Sequence, residues 1–443
     1  MPWHEGKTEA MSRRIYLDGL NLSLERGTGI ATYTRMLARI ARDLGYEIGI
    51  VYSSPQRPSK NPLMREISLF DSRDAAQTVS PKLVWNIICD QLRSPLGVQP
   101  SAVKLTGAVI TDQFRGRLAP HDHLFVARNL FANARRYFTW SGRFIDLTFD
   151  TMPDILHCTY QLPLRAKRVC NVYTIHDLVP LRLPYTTLDN KQLTYRLLRK
   201  IAAEADHIVT VSENSKRDIV QLLGVEEERV TNTYEAVEFP RELVERPTDL
   251  VAEELRGSHG LGMQGYLLFY GALEPKKNVR RLIDAYMLSG VDLPLVIAGG
   301  GGWGNRAEAM MLEELRAEGR AQGTRRVHHV EYVSSSMLVT LIRGARAVLF
   351  PSLYEGFGLP VLEAMLLGTP VVTSRVSSMP EIAGDAALYV NPYEIDDIAM
   401  AIRSITADES LRTELSRRGR AQAELFSVAR YRERVGALYE RLG

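Results

Sequence analysis

Residues 352–363 and their flanking sequence constrain the fold of this chain most strongly. An apolar run over residues 345–350 precedes them and predicts a buried strand. A glycine-rich turn follows, and Pro360 then suits the first turn of a helix. We expect this helix to end near Gly368, before Val371 begins another strand. This strand, turn, helix and strand form the repeating unit of a parallel α/β sheet.

The same segment carries two carboxylates, Glu355 in the turn and Glu363 in the helix, eight residues apart. Between them, Gly356 and Gly358 leave backbone N–H groups uncovered where a helix N-terminus concentrates positive potential. A ligand with phosphate groups and several hydroxyls finds donors and acceptors together there. This pattern predicts a sugar nucleotide site. The alternative is a helix N-terminus with ordinary surface acids.

The full phrase resembles the donor-site motif of retaining glycosyltransferases of the GT-B type. It is similar to glycosyltransferase family four, which includes bacterial O-antigen and exopolysaccharide mannosyltransferases. The resemblance implies an α/β fold with two facing Rossmann-like doubly wound domains and a C-terminal helix that crosses back to the first. It implies that Glu363 binds the nucleotide ribose. It also implies that Glu355 and the turn residues Gly356, Phe357 and Gly358 bind the donor sugar.

Length and composition agree with a globular enzyme of two domains. The chain has 443 residues, more than one hydrophobic core normally supports. Its net charge of +3 argues against nucleic acid as a partner. The three cysteines show no metal-ligand spacing and no disulfide framework, and residues 1–14 lack the apolar core of a signal peptide. We therefore expect a cytoplasmic protein, with contact at the inner face of the membrane as a possibility.

Alternating strand and helix patterns run through both halves. In the second half, five strands are predicted over residues 266–270, 295–298, 328–332, 347–350 and 371–372, with helices between them that include one over 307–321. We predict an acceptor domain over residues 12–240, a linker over 241–262, a donor domain over 263–425 and a crossover helix over 426–443. The linker prediction rests on weak periodicity in a stretch rich in Pro, Glu, Arg and Gly. Residues 55–150 are harder to interpret, apart from helical patterns such as 127–143.

Lys276 and Lys277 follow the strand predicted over residues 266–270 and precede a helix. An ammonium about 4 Å from a phosphate oxygen gains on the order of 4 kcal/mol at an effective dielectric constant near 20. Because the leaving diphosphate gains charge, a cation already in place favours the transition state. The resemblance assigns this role to Lys277. Ala272 stands where many members carry Arg, so either Lys276 compensates or phosphate binding depends on Lys277 alone. A solvated lysine pair is the alternative to a phosphate site.

His176 directly follows a predicted strand, within the phrase Ile-His-Asp-Leu. That phrase looks like the family's catalytic histidine segment, in which the histidine lies near the transferred sugar. Asp177 would orient the ring or accept a hydrogen bond from the acceptor. A structural role for His176 is the alternative.

Three further positions are expected to approach the donor. Gly29, at the start of the first helix, lies in a loop that closes near the diphosphate in the resembled family. In a dinucleotide fingerprint the first glycine directly follows the strand, and Gly or Ala stands three residues after the second glycine. Here about eight residues separate the strand from the glycines, and Thr32 stands three residues after Gly29, so the fingerprint does not fit. Glycines at 299–302 would let the backbone pass close to a nucleotide, and Val333 would meet the base through backbone groups.

The resemblance implies a retaining, metal-independent hexosyltransferase whose nucleotide-sugar donor is GDP-mannose, with no cofactor and no metal site. No Asp-x-Asp motif, which the metal-dependent GT-A type uses, occurs in the sequence. UDP-glucose and dTDP-rhamnose stay open as donors. A nucleotide-sugar epimerase, a sugar-phosphate synthase and a non-catalytic nucleotide-binding protein are the rival functions.

The acceptor is expected to be a saccharide, lipid-linked in polysaccharide biosynthesis. Arginines and aromatic residues alternate through the middle of the first half and suggest a surface for an anionic leaflet. The alternative is a solvated helix face over an ordinary core. The residues are Arg115, Arg117, Arg128, Arg135, Arg136, Arg143, Phe125, Phe131, Tyr137, Phe138 and Trp140.

Overall fold

The computed structural model describes residues 13–23, 29–71, 81–111, 118–300 and 327–443. Within these ranges the chain forms two large, mainly parallel sheets, each flanked by helices. One sheet belongs to the first half and the other to the second half. The predicted pair of doubly wound α/β domains is therefore confirmed.

The first sheet has eight strands in the order β10-β9-β8-β6-β1-β2-β4-β3, and all neighbours are parallel except β3 and β4. Two short strands, β5 and β7, pair separately. The strands are β1 (Arg14–Asp18), β2 (Glu47–Ser54), β3 (Ser101–Val103), β4 (His123–Arg128), β5 (Ile145–Leu147), β6 (Ile155–Cys158), β7 (Leu164–Ala166), β8 (Cys170–Thr174), β9 (His207–Thr210) and β10 (Val230–Asn232).

The second sheet has six parallel strands in the order β13-β12-β11-β14-β15-β16. Buried residues fill β11, β12, β14 and β15, as expected for parallel strands covered on both faces. The strands are β11 (Leu267–Tyr270), β12 (Leu295–Ala298), β13 (Val327–Val330), β14 (Ala347–Phe350), β15 (Val371–Ser374) and β16 (Ala387–Val390). Five were predicted, and β16 was not.

Helices connect the strands in both halves. Those of the first half are α1 (Gly29–Asp43), α2 (Pro62–Phe70), α3 (Pro81–Arg93), α4 (Leu130–Ser141), α5 (Val179–Arg182), α6 (Lys191–Glu204) and α7 (Glu213–Leu223). Those that follow are α8 (Arg241–Val244), α9 (Thr248–His259), α10 (Val279–Ser289), α11 (Ser335–Gly344), α12 (Leu359–Leu366), α13 (Met379–Ala383), α14 (Ile395–Ala407), α15 (Glu409–Ala423) and α16 (Val428–Leu442).

The last helix, α16, packs against α1 of the first domain, which confirms the predicted crossover. Its Tyr439 is fully buried, and the hydroxyl lies 2.8 Å from Nδ1 of His157. The other ring nitrogen of His157 lies 2.8 Å from Oγ1 of Thr174. Burial lowers the pKa of His157 to about 3, so this ring is neutral and belongs to the core.

Three sequence predictions need correction. Helices α8 and α9 occupy most of the predicted linker, and Val251 and Leu255 of α9 are buried in the core, because α9 packs against α11. Residues 127–143 begin in strand β4 rather than in a helix. Of the aromatic residues assigned to an exposed surface, Phe125, Phe131, Tyr137 and Phe138 are buried, and Trp140 is exposed.

Some predictions fall on residues outside the described ranges. These are Arg115, Arg117, the glycines at 301 and 302, and the helix expected over residues 307–321. Across the described ranges, no helix has the length and apolar character needed to cross a bilayer.

Candidate functional site

The candidate site lies where strands of the second sheet end beside the first domain. The carboxyl ends of parallel strands share one edge of a sheet, which is where ligands bind in such folds. The segment after β11 carries Lys276 and Lys277, and the segment after β14 carries Glu355. Because β11 and β14 are neighbours, these side chains meet.

Two ammonium groups share the Glu355 carboxylate. Nζ of Lys277 lies 2.6 Å from Oε1, and Nζ of Lys276 lies 3.6 Å from Oε2. Lys276 also lies 3.8 Å from Oδ2 of Asp177, which belongs to the first domain. Ser352 donates a hydrogen bond to Oε1 of Glu355 at 2.7 Å. We call Lys276, Lys277 and Glu355 the Lys–Glu cluster.

The charges of the Lys–Glu cluster stabilise one another. Burial by itself raises the pKa of Glu355, but the Lys277 and Lys276 ammoniums outweigh it and lower that pKa below its ordinary value. Burial works to lower the pKa of Lys276, but the Glu355, Asp177 and Glu274 carboxylates outweigh it and raise that pKa. Both groups are therefore charged at neutral pH.

Main-chain contacts fix the lysine loop to the end of β14. The Lys276 carbonyl accepts hydrogen bonds from the Leu353 N–H at 2.7 Å and the Ser352 hydroxyl at 2.9 Å. Asn278 donates to the carbonyls of Pro351 at 3.0 Å and Pro392 at 2.6 Å. These contacts fix the main chain of the lysine loop, from which both ammoniums reach Glu355.

The glycine turn lies directly against the first domain. A Cβ atom on Gly356 would lie 2.5 Å from the His176 carbonyl oxygen, so this approach requires glycine. Gly358 has a φ of +118°, which also favours glycine. The Ser212 hydroxyl donates to the Gly356 carbonyl at 2.6 Å. The turn, which belongs to the second domain, is thus in direct contact with the first.

Glu363 lies on α12, one turn after Pro360, and is partly buried. Burial raises its pKa to about 7, while interaction with Tyr270 and Lys277 works in the opposite direction. The Tyr270 hydroxyl donates to the Pro360 carbonyl at 2.7 Å. Glu363 therefore changes its charge near neutral pH, unlike Glu355.

The His176 ring is buried between two acceptors. Nδ1 lies 3.3 Å from Oε1 of Glu235, and Nε2 lies 3.0 Å from the Thr159 carbonyl oxygen. The Tyr33 ring packs against it edge-on at 4.8 Å between centroids. Asp177 was expected to orient this ring, but the acceptor at Nδ1 is Glu235, and Asp177 lies beside Lys276 instead.

The remaining predicted residues are less closely grouped. Gly29 lies near α12, since a Cβ atom there would be 3.3 Å from Leu359. The Phe357 ring is buried against Phe426 and Tyr234, and its carbonyl accepts a hydrogen bond from the Ser378 hydroxyl at 2.7 Å. Val333 follows the edge strand β13, so the structure does not bring it into the Lys–Glu cluster.

Sequence reasoning missed four residues that support the site. Ser377 and Ser378 follow β15, and their hydroxyls donate to the Glu355 carbonyl at 2.6 and 3.0 Å. Ser352 and Glu235 complete the set. All four follow a strand closely in sequence, and that placement was the available signal. Short polar residues after strands are too common for the signal to select them.

Comparison with known proteins yields two family matches. Residues 251–422 match the model "Glycosyl transferases group 1", and residues 105–238 match the model "Glycosyltransferase Family 4". The chain is 35% identical over 276 residues to the O-antigen chain mannosyltransferase B of Escherichia coli. That alignment covers 60% of this chain and 69% of the relative.

Solved structures share the fold over nearly the whole length. The sucrose-phosphate synthase of Thermosynechococcus elongatus aligns with a TM-score of 0.65 at 17% identity, covering 97% of this chain and 99% of that one. Anabaena HepE, solved in complex with UDP-glucose, aligns with a TM-score of 0.65 at 16% identity, covering 97% and 100%. At these identities the likeness shows the two-domain fold.

Proposed function

Since the chain belongs to the family 4 glycosyltransferases of the GT-B type, we propose that it transfers mannose from GDP-mannose to a saccharide with retention of configuration. The Lys–Glu cluster carries this proposal. It places two ammoniums and one carboxylate, all largely buried, beside the glycine turn that precedes α12.

Each part of the cluster has a role in the proposed reaction. Lys277 and Lys276 stabilise the departing diphosphate, whose charge grows as the glycosidic bond breaks. Glu355 and the amides of residues 356–358 bind the sugar hydroxyls, and Glu363 binds the ribose. Part of the Lys277–Glu355 ion pair is exchanged for contacts with the diphosphate when the donor binds.

The acceptor hydroxyl attacks the anomeric carbon from the face that the diphosphate leaves. Its proton passes to a phosphate oxygen of the leaving group, so the scheme requires no nucleophile from the protein. Because the two ammoniums supply the positive charge, we propose that transfer proceeds without a divalent metal. Equal rates with and without EDTA are expected, and loss of transfer in EDTA would contradict this part.

The choice of mannose is supported by the mannosyltransferase at 35% identity. A panel of GDP-mannose, UDP-glucose and dTDP-rhamnose, with release of nucleoside diphosphate as the signal, tests it. We expect GDP-mannose to be consumed fastest and the product to be an α-mannoside. Faster use of another donor would overturn the sugar assignment, a β-product would overturn retention, and no turnover at all would favour a non-catalytic binding protein.

We also propose that the acceptor is lipid-linked and that the first domain contacts an anionic leaflet. Trp85, Ile88 and Leu92 are exposed at helical spacing on one face of α3. Trp140 of the neighbouring α4 is exposed too, and its Nε1 donates to Gln91 of α3 at 3.1 Å. Exposed Arg93, Arg135, Arg136 and Arg143 add positive charge on or next to these helices.

Vesicle flotation tests this contact. Vesicles with anionic lipid should carry the wild type upward, and the double variant W85S/L92S should stay at the bottom. The control variant L425S, which removes an exposed leucine of the second domain, should float like the wild type. Equal flotation with neutral and anionic vesicles would remove the proposal.

A further inference from the structure

A buried carboxylate outside the predicted site faces the His176 ring. Glu235 follows β10 and is 7% exposed, and its Oε1 lies 3.3 Å from Nδ1 of His176. On the other side of the ring, Nε2 lies 3.0 Å from the Thr159 carbonyl oxygen. Both ring nitrogens therefore face oxygen acceptors of the protein.

The backbone turn at Tyr234 directs the Glu235 side chain into the protein interior. Tyr234 has a φ of +60°, a left-handed conformation that is unusual for a bulky aromatic residue. The Asn232 side chain accepts a hydrogen bond from the Tyr234 N–H at 2.8 Å. The Tyr234 ring packs against Phe426 at 5.2 Å and under the Arg434 guanidinium at 4.7 Å. Left-handed conformations of non-glycine residues, stabilised by the surrounding contacts, cluster at functional sites.

The two acceptors determine where protons lie. A carbonyl oxygen only accepts, so Nε2 carries a proton that it donates to Thr159. A neutral ring then has a bare Nδ1 facing the Glu235 carboxylate, which would be repulsive. A second proton between Nδ1 and Oε1 removes that repulsion and makes the contact a charge-assisted hydrogen bond. The ring is thereby fixed at both nitrogens.

The main chain of His176 contacts the glycine turn directly. The His176 carbonyl accepts a hydrogen bond from the Ser215 hydroxyl at 3.0 Å and lies directly against Gly356. The next residue, Asp177, lies 3.8 Å from Lys276. Movement of the ring would therefore move the surface on which the donor turn rests.

We propose that Glu235 is a positioning residue that holds His176, and through it the Gly356 turn, by sharing a proton with Nδ1. This inference rests on the proposed function for its effect on transfer, but the proton between the two side chains does not depend on the substrate. Glu235 has no contact with the Lys–Glu cluster among the contacts of the described residues. Its loss should therefore misplace the donor sugar on the Gly356 turn but leave the proposed nucleotide contacts at Lys276, Lys277 and Glu363 in place, so turnover should change more than donor binding.

The test compares E235Q with E238Q. Gln keeps the size of Glu235 but cannot carry its charge. Glu238, three residues further on, pairs with Arg39 on the surface and serves as the matched control. We expect E235Q to lower kcat at least tenfold with less than a threefold change in donor KM, and E238Q to leave both within twofold.

Ring ¹⁵N NMR of histidine-labelled protein reports whether each ring nitrogen is protonated. A purely structural role of Glu235 would leave these chemical shifts unchanged. The His176 signals are assigned by their loss in H176N. In the wild type at neutral pH, both nitrogens should have the chemical shifts of protonated nitrogen. In E235Q the Nδ1 shift should move toward that of a bare nitrogen, and in E238Q it should not.

Each outcome decides the inference. A bare Nδ1 in the wild type, or unchanged His176 signals in E235Q, would overturn it even if activity fell. Turnover of E235Q within twofold of the wild type would also overturn it. If no donor is turned over by the wild type, the proposed function fails, while the NMR result still decides the contact. The wild-type spectrum does so even if E235Q does not fold.

Discussion

Two lysine side chains and one glutamate are the residues on which the proposed chemistry depends. Lys277 and Glu355 form a short ion pair in which both side chains are largely buried. Removing one partner of such a pair leaves an uncompensated charge and costs more than the pair contributes. Lys276 remains within 3.6 Å of Glu355, so part of the charge stays balanced in a Lys277 variant.

The K277A variant should lower turnover more than tenfold, because the proposed leaving diphosphate would lose one of its two cations. Steady-state kinetics with the preferred donor measure this, and the thermal unfolding midpoint shows whether the fold survives. The control is K167A, which removes an exposed lysine paired with Asp146. Near-normal transfer by K277A would contradict the role given to this residue.

Glu363 predicts a pH dependence of stability with a definite sign. Its pKa is about 7 in the folded chain against an ordinary value of 4.5, so between these values the folded chain binds a proton that the unfolded chain releases. Stability from this group therefore falls as pH rises through that window. Because the carboxyl is partly exposed and screened, the effect is roughly 1–2 kcal/mol.

The unfolding midpoints at about pH 5 and about pH 8 should differ less in E363Q than in the wild type. The control E226Q, which changes an exposed glutamate, should follow the wild type. If the unfolding midpoint falls by the same amount with rising pH in E363Q and in the wild type, another group causes the pH dependence.

At this scale the sequence could predict that Glu355 and Lys277 belong to one site, because both follow apolar strands and strand ends share an edge. It could not predict Glu235, because the left-handed turn at Tyr234 that aims it depends on packing against Phe426 and Arg434. It also could not predict that Asp177 faces Lys276 rather than the His176 ring.

Among the elements, the last helix links the two halves of the chain. Tyr439 of α16 is buried against the first domain, where its hydroxyl contacts His157. The Y439F variant would leave a buried ring nitrogen of His157 without this partner, which costs about 1–3 kcal/mol. We expect the unfolding midpoint to fall by about 2–6 °C, with Y195F, which changes a partly exposed tyrosine, as the control. An unchanged midpoint would show that α16 is held by packing alone.

Element prediction succeeded where the hydrophobic pattern was strong. The bounds of α16 agree with its pattern, and five strands of the second sheet were predicted, four of them in buried, largely apolar runs. It failed for α9, a largely polar helix in which only Val251 and Leu255 enter the core, and for β16, an edge strand in which only Ala387 and Val390 are buried. Neither segment has a hydrophobic pattern strong enough to predict a helix or a strand instead of a loop.

For the whole molecule, hydrogen bonds between the two domains hold them against each other. Glu381 of the second domain accepts hydrogen bonds from the N–H groups of Glu213 at 2.7 Å and Asn214 at 3.1 Å, at the start of α7. Tyr354 of the second domain also donates to Asp218 of α7. A carboxylate at a helix N-terminus is favoured by the unpaired N–H groups and the helix dipole.

The E381A variant should therefore open the cleft. We expect a larger radius of gyration in small-angle scattering and a donor KM raised about fivefold, which corresponds to about 1 kcal/mol of lost capping. The control is E394A, since Glu394 precedes α14 without capping it. If neither quantity changes in E381A, the contact does not hold the domains together.

The central claim is that the donor diphosphate lies between Lys276 and Lys277 and the glycine turn before Pro360. A crystal structure of the protein with GDP-mannose tests it most directly. The account predicts phosphate oxygens within about 4 Å of both ammonium nitrogens and the hexose beside Glu355 and residues 356–358. A nucleotide bound at any other place, with both lysines still paired only to carboxylates, would contradict it.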